Sequence, residues 1–83
     1  METVEKIKQG FKFLKNDCSD VLLAGFVSKD EIPEKASKEE FDDEIFSHKY
    51  SDTRSDGWDE CNFWGNIYLP LNDALYMNFE VHA

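Results

Sequence analysis

Eighty-three residues that are 41% apolar and include seven Phe, three Tyr and two Trp make one domain, spanning residues 1–83, and argue against a disordered chain. A chain this short buries only about 60% of the surface that its unfolded state exposes, so the core is thin. The formal net charge of −9 argues against direct binding to nucleic acid or acidic membranes and favours basic protein surfaces.

The first element is a helix. Thr3 is placed to cap it. Val4, Ile7, Phe11 and Leu14 follow at spacings of three, four and three, which makes one apolar stripe, while Lys6, Lys8, Lys12 and Lys15 fall elsewhere on the wheel. Gly10 weakens this helix by about 1 kcal/mol relative to Ala, so packing must hold it. Asn16, Asp17 and Ser19 punctuate its end. Val21 to Val27 is a nearly continuous apolar run, short and β-branched at both ends, and reads as a strand buried on both faces. Gly25 within it signals a bulge or a close backbone approach. Ser28 to Pro33 reads as a turn or linker.

Ser37 and Glu40 match the S-x-x-E capping box, which predicts a second helix from about Lys38 to His48 with Phe41, Ile45 and His48 on one face. Tyr50 to Asp59 reads as a polar loop containing the turn signal Asp56-Gly57. In the last third, Cys61, Phe63, Ile67 and Leu69 alternate with polar or aromatic residues. Leu75, Met77, Phe79 and Val81 do the same. Two such runs around Pro70-Leu71-Asn72-Asp73 predict a β-hairpin. A register in which paired numbers sum to 144 sets Leu69 against Leu75, Ile67 against Met77, Phe63 against Val81 and Tyr68 against Tyr76, with Pro70 to Ala74 as the loop. The expected fold is therefore α+β, in the order α-β-α-β-β. It has a small antiparallel sheet of about three strands, the C-terminal hairpin plus one central strand, packed with two helices.

The charge is concentrated. Residues 1–29 carry five Lys and four acids; residues 30–60 carry twelve acids and four bases; residues 61–83 carry two acids and no base. The bland reading of the middle third is a solvated helix face and loop. The functional reading is a surface imitating nucleic-acid phosphates, since basic proteins bind duplexes largely through the phosphate field. Its candidate residues are Glu39, Glu40, Asp42, Asp43, Glu44, Asp52, Asp56, Asp59 and Glu60. A second candidate surface is the aromatic face of the hairpin, with Trp64, Tyr68 and Tyr76 among Asn62, Asn66, Asn78, Glu80 and His82. Tyr and Trp are favoured interface anchors. The opposing reading is that a helix covers this face.

No catalytic residues, metal site or cofactor are expected. Asp52-x-x-x-Asp56-Gly57 fails as a calcium loop because an EF-hand's third and twelfth positions fall on Arg54 and Phe63. Cys18, His48, Cys61 and His82 lack zinc-ligand spacing. Gly-rich phosphate loops, nucleophile elbows and zincin helices are missing. His48 with Asp52 or Glu44 is the one acid–base pairing to consider, and a partly buried structural histidine is the simpler reading. The two cysteines make no disulfide scaffold, and no apolar run approaches the roughly 20 residues needed to cross a bilayer. No signal peptide is recognised at the start, so a cytoplasmic location is expected.

In size, local negative charge and lack of catalytic signature, the chain is similar in kind to small acidic inhibitors carried by phages and mobile elements. These include anti-CRISPR and anti-restriction proteins and other nucleic-acid mimics. The likeness carries over no functional residue. It implies an inhibitor, monomeric or a small homo-oligomer, that occludes a basic nucleic-acid-binding protein or nuclease complex. The alternatives are an immunity protein neutralising a nuclease toxin, and an adaptor assembling through the aromatic hairpin face.

Overall fold

The computed structural model of the chain describes residues 2–16, 18–39, 49–56 and 59–82, with side chains described at 3–16, 18–36, 49–52 and 64–82. The elements are α1 (Glu2–Leu14), β1 (Asp20–Ser28), a 3-10 turn (Lys29–Glu31), β2 (Ser37–Glu39), β3 (Lys49–Asp56), β4 (Asp59–Pro70) and β5 (Leu75–His82). The strands form one antiparallel sheet in the order β1-β5-β4-β3-β2. The α+β class is as the sequence predicts, but with one described helix and five strands.

The apolar stripe of α1 lies on one face of this sheet. Ile7, Phe11 and Leu14 pack with Ile67, Leu69, Met77, Phe79 and Val81, while Val4 stays 54% exposed. The helix begins at Glu2, so Thr3 lies in its first turn and is not its cap. Gly10 lies close against the sheet, because a Cβ there would stand 2.8 Å from the Phe79 ring. Phe79, Leu69 and Met77 are fully buried. Each such side chain contributes about 1.5–3 kcal/mol by leaving water. The Phe11 and Phe79 rings meet edge to face at 5.1 Å. Cys18 is buried with this core.

The predicted hairpin exists as β4–β5, but its register is shifted by two. Leu69 pairs with Met77, Ile67 with Phe79 and Tyr68 with Asn78. The reason lies in the loop. Asn72 Oδ1 accepts from the backbone N–H groups of Ala74 (2.8 Å) and Leu75 (2.9 Å), and Leu71 N–H donates to Leu75 O. This Asx-type closure shortens the loop to four residues and carries Pro70 into the strand opposite Tyr76.

Three further expectations are corrected. β1 is an edge strand, not one buried on both faces; Leu22 is 60% and Phe26 46% exposed. The bulge signalled by Gly25 is present, since the β1–β5 register shifts between Leu23 and Gly25. Ser37 to Glu39 is a strand paired to β3, so Ser37 opens no helix at that point; the remainder of the predicted helix, residues 40–48, lies outside the described residues. Tyr50 to Asp56 belongs to strand β3, not to a loop. The S-x-x-E pattern is instead realised upstream, where the Ser28 backbone N–H donates to Glu31 Oε1 at 3.2 Å around the 3-10 turn. Hydrogen bonds from Ser28, backbone first and hydroxyl second, hold the Glu31 carboxyl below its ordinary pKa.

Candidate functional site

The ladder registers set the residues of the sheet face opposite α1 in rows. Val27, Tyr76 and Pro70 form one row. Gly25, Asn78, Tyr68, Tyr50 and Lys38 form the next. Leu22, Glu80, Asn66 and Asp52 follow, and then Asp20, His82, Trp64 and Arg54. The linker from β1 to β2 must cross the sheet, because those strands occupy opposite edges. It crosses on this face. Lys35 Nζ lies 3.3 Å from Asp52 Oδ2, and Ile32 and Pro33 are half-buried.

The aromatic residues consequently divide. Tyr68 and Tyr76 are only 5% and 7% exposed, and Tyr50 packs edge-on against Tyr76 with ring centroids 5.5 Å apart. Burial raises both phenol pKa values above their ordinary 10.0, assisted by the Asp52 charge at Tyr68 and by Tyr50 at Tyr76. These two tyrosines form part of a second, smaller core and offer no open platform. Trp64, in the outer row, is 43% exposed. Beside it, Lys35, Asp52, Gly65 and Asn66 complete a shallow depression of about 160 Å³. Asn78 Oδ1 is buried in the tyrosine row without a hydrogen-bond partner among the described residues. His82 is exposed but not frayed: it pairs with Asp20 and Trp64, and its carbonyl accepts from the Ser19 hydroxyl at 3.0 Å.

The acidic candidates also divide. Asp52 is ion-paired and its side chain is mostly covered. Glu39 sits opposite Lys49 at the start of β3. Asp56 and Asp59 are register partners at the far end of β3, with Glu60 next along β4. Seven residues of strand separate these ends, about 23 Å at roughly 3.3 Å per residue. Glu40, Asp42, Asp43 and Glu44 lie outside the described residues, as does His48. Glu39 and the Asp56–Asp59 pair thus stand at opposite ends of β3 in the ladder.

The β3–β4 hairpin outruns the rest of the sheet. Trp64 is the first residue of β4 with a register partner in β5, so Asp59 to Phe63 extend beyond it; within that stretch Phe63 pairs with Ser55 and Asp59 with Asp56 of β3, across a shift of register. Missed in the sequence were the exposure of Leu22 and Phe26 and the pairing of Lys35 with Asp52. The glycine bulge was the available signal for the first, since bulges are enriched at sheet edges. Among the described residues, no three His, Cys, Asp or Glu side chains gather as a metal-binding group, and no helix is long and apolar enough to cross a membrane. No family model, curated protein or solved structure matches the chain.

Proposed function

We propose that this protein is a non-catalytic inhibitor that occludes a basic, nucleic-acid-binding surface of a partner protein, with the projecting end of the β3–β4 hairpin as its leading contact. The observation that supports this reading is the pairing of Asp56 with Asp59 where the hairpin outruns the sheet. Like charges directly opposite each other destabilise an antiparallel pair. Hairpin stability therefore does not account for two acids at this position, and a cationic partner would relieve the repulsion between them. Glu60 adjoins them in sequence, and Trp64, on the same strand, supplies an exposed aromatic anchor of the kind that dominates interfaces. The remaining acids of the middle third add to the long-range field that steers a basic surface toward the molecule.

The test is capture from candidate host lysates on the immobilised chain, with elution by salt and by competing duplex DNA or RNA. A basic nucleic-acid-binding protein or nuclease released by both eluants, and retained poorly by an Asp56→Asn, Asp59→Asn, Glu60→Gln variant, is the expected result. A partner held equally in low and high salt and indifferent to nucleic acid contradicts the reading.

A further inference from the structure

The two edges of the sheet are unlike. β2 is three residues long and includes Lys38 and Glu39, the short, charged form by which edges avoid further pairing. β1 is nine residues long and uncharged from Val21 to Val27. Only β5 pairs with it, so its outer row of backbone N–H and C=O groups faces no described strand. Leu22 and Phe26 are exposed on it. The bulge puts them on opposite faces, because Leu22 aligns with Glu80 and Phe26 with Met77.

We propose that β1 is a self-association edge, pairing antiparallel with β1 of a second copy about a two-fold axis normal to the sheet. Such an axis keeps each face of the sheet continuous, so paired residues must share a face. The face changes parity at the bulge. Residues before it therefore pair with residues after it, and the paired numbers sum to an odd value. A sum of 49 sets Leu22 against Val27 on one face and Leu23 against Phe26 on the other. Ala24 then opposes Gly25, so the bulge of one copy faces the bulge of its mate and the ladder between copies needs no bulge of its own.

The same register carries Asp20 of each copy toward Lys29 of the other, the first residue of the 3-10 turn just past the end of β1, which brings opposite charges together at both ends of the ladder. A sum of 47 would place Asp20 against Val27, and a sum of 51 would place Lys29 against Leu22, so charge selects the register between them. The product is a ten-stranded sheet with Leu22 and Phe26 covered.

The experiment is sedimentation velocity across a concentration series, with circular dichroism to verify folding. The wild-type chain is expected to show a monomer–dimer equilibrium. Leu22→Lys, a change at an exposed position, is expected to leave the spectrum intact and shift the chain to monomer. Asp20→Lys and Lys29→Asp should each weaken dimerisation about tenfold, from two cross-strand ion pairs lost and reversed. The Asp20→Lys, Lys29→Asp double variant should restore it. A monomer at every concentration, a dimer that survives Leu22→Lys, or a double variant no stronger than the single ones overturns the proposal.

Discussion

Gly10→Ala sets two effects of known sign against each other. In a helix interior the change is worth about 1 kcal/mol in favour of Ala. Here, however, the new methyl would stand 2.8 Å from Phe79 Cζ, 3.0 Å from Phe79 Cε2 and 3.5 Å from Leu69 Cδ1. Phe79 cannot swing aside, because it is fully buried and its ring stands at 86° to that of Phe11. The helix must therefore lift from the sheet. Overpacking of this kind costs about 1–3 kcal/mol, which exceeds the propensity gain. The expected net loss is about 1 kcal/mol, a fall in Tm of about 4–8 °C for a domain of this size. Thermal melts followed by circular dichroism measure it. In a Phe79→Leu background, where the ring is gone, the same Gly10→Ala change should become neutral or stabilising, so the two sites couple. A Gly10→Ala protein that melts at or above the wild-type temperature would refute the close approach of α1 to β5.

Leu14→Ala should cost about 2–5 kcal/mol in urea titrations, since Leu14 is buried in the core. Val4→Ala, on the same predicted stripe but exposed, should stay within about 0.5 kcal/mol of wild type. The phenols of Tyr68 and Tyr76 have raised pKa values in the fold. The neutral phenol is thus the form the fold favours, and the stability it contributes is complete below the unfolded pKa and lost as pH rises through the folded one. Unfolding free energy should fall above about pH 10, and a Tyr68→Phe, Tyr76→Phe variant should lose part of that dependence. Burial is the main cause of the raised Tyr68 pKa and the Asp52 charge adds to it, so phenolate absorbance of Asp52→Asn should show Tyr68 titrating lower than in the wild type, with Tyr68→Phe assigning the signal.

Several elements were legible because burial imposes a period. The Val4-to-Leu14 stripe gave α1, and the alternation from Cys61 to Leu69 and from Leu75 to Val81 gave the faces of β4 and β5. Alternation determines the face and not the offset, and the two-residue offset is set by the Asn72 side chain closing the loop. β3 was not legible. In Lys49-Tyr-Ser-Asp-Thr-Arg-Ser-Asp neither alternating set is apolar, and the strand is held by its pairing with β4. The capping-box pattern occurs at Ser28 as well as at Ser37, and only the first is realised among the described residues. Of the candidate site, the hairpin's apolar face was readable, but the fate of its aromatic face depended on a linker whose path follows from strand order. That order seats Lys35 on Asp52 and Tyr68 in a second core.

Stopped-flow association of the captured partner with wild-type and Asp56→Asn, Asp59→Asn, Glu60→Gln protein, across a range of ionic strengths, bears most directly on the claim that the hairpin's charge drives binding. The expected result is a wild-type association rate that drops steeply as salt rises and a variant that starts slower and responds less, with both proteins equally folded. Identical rates and identical salt dependence for the two proteins would contradict it.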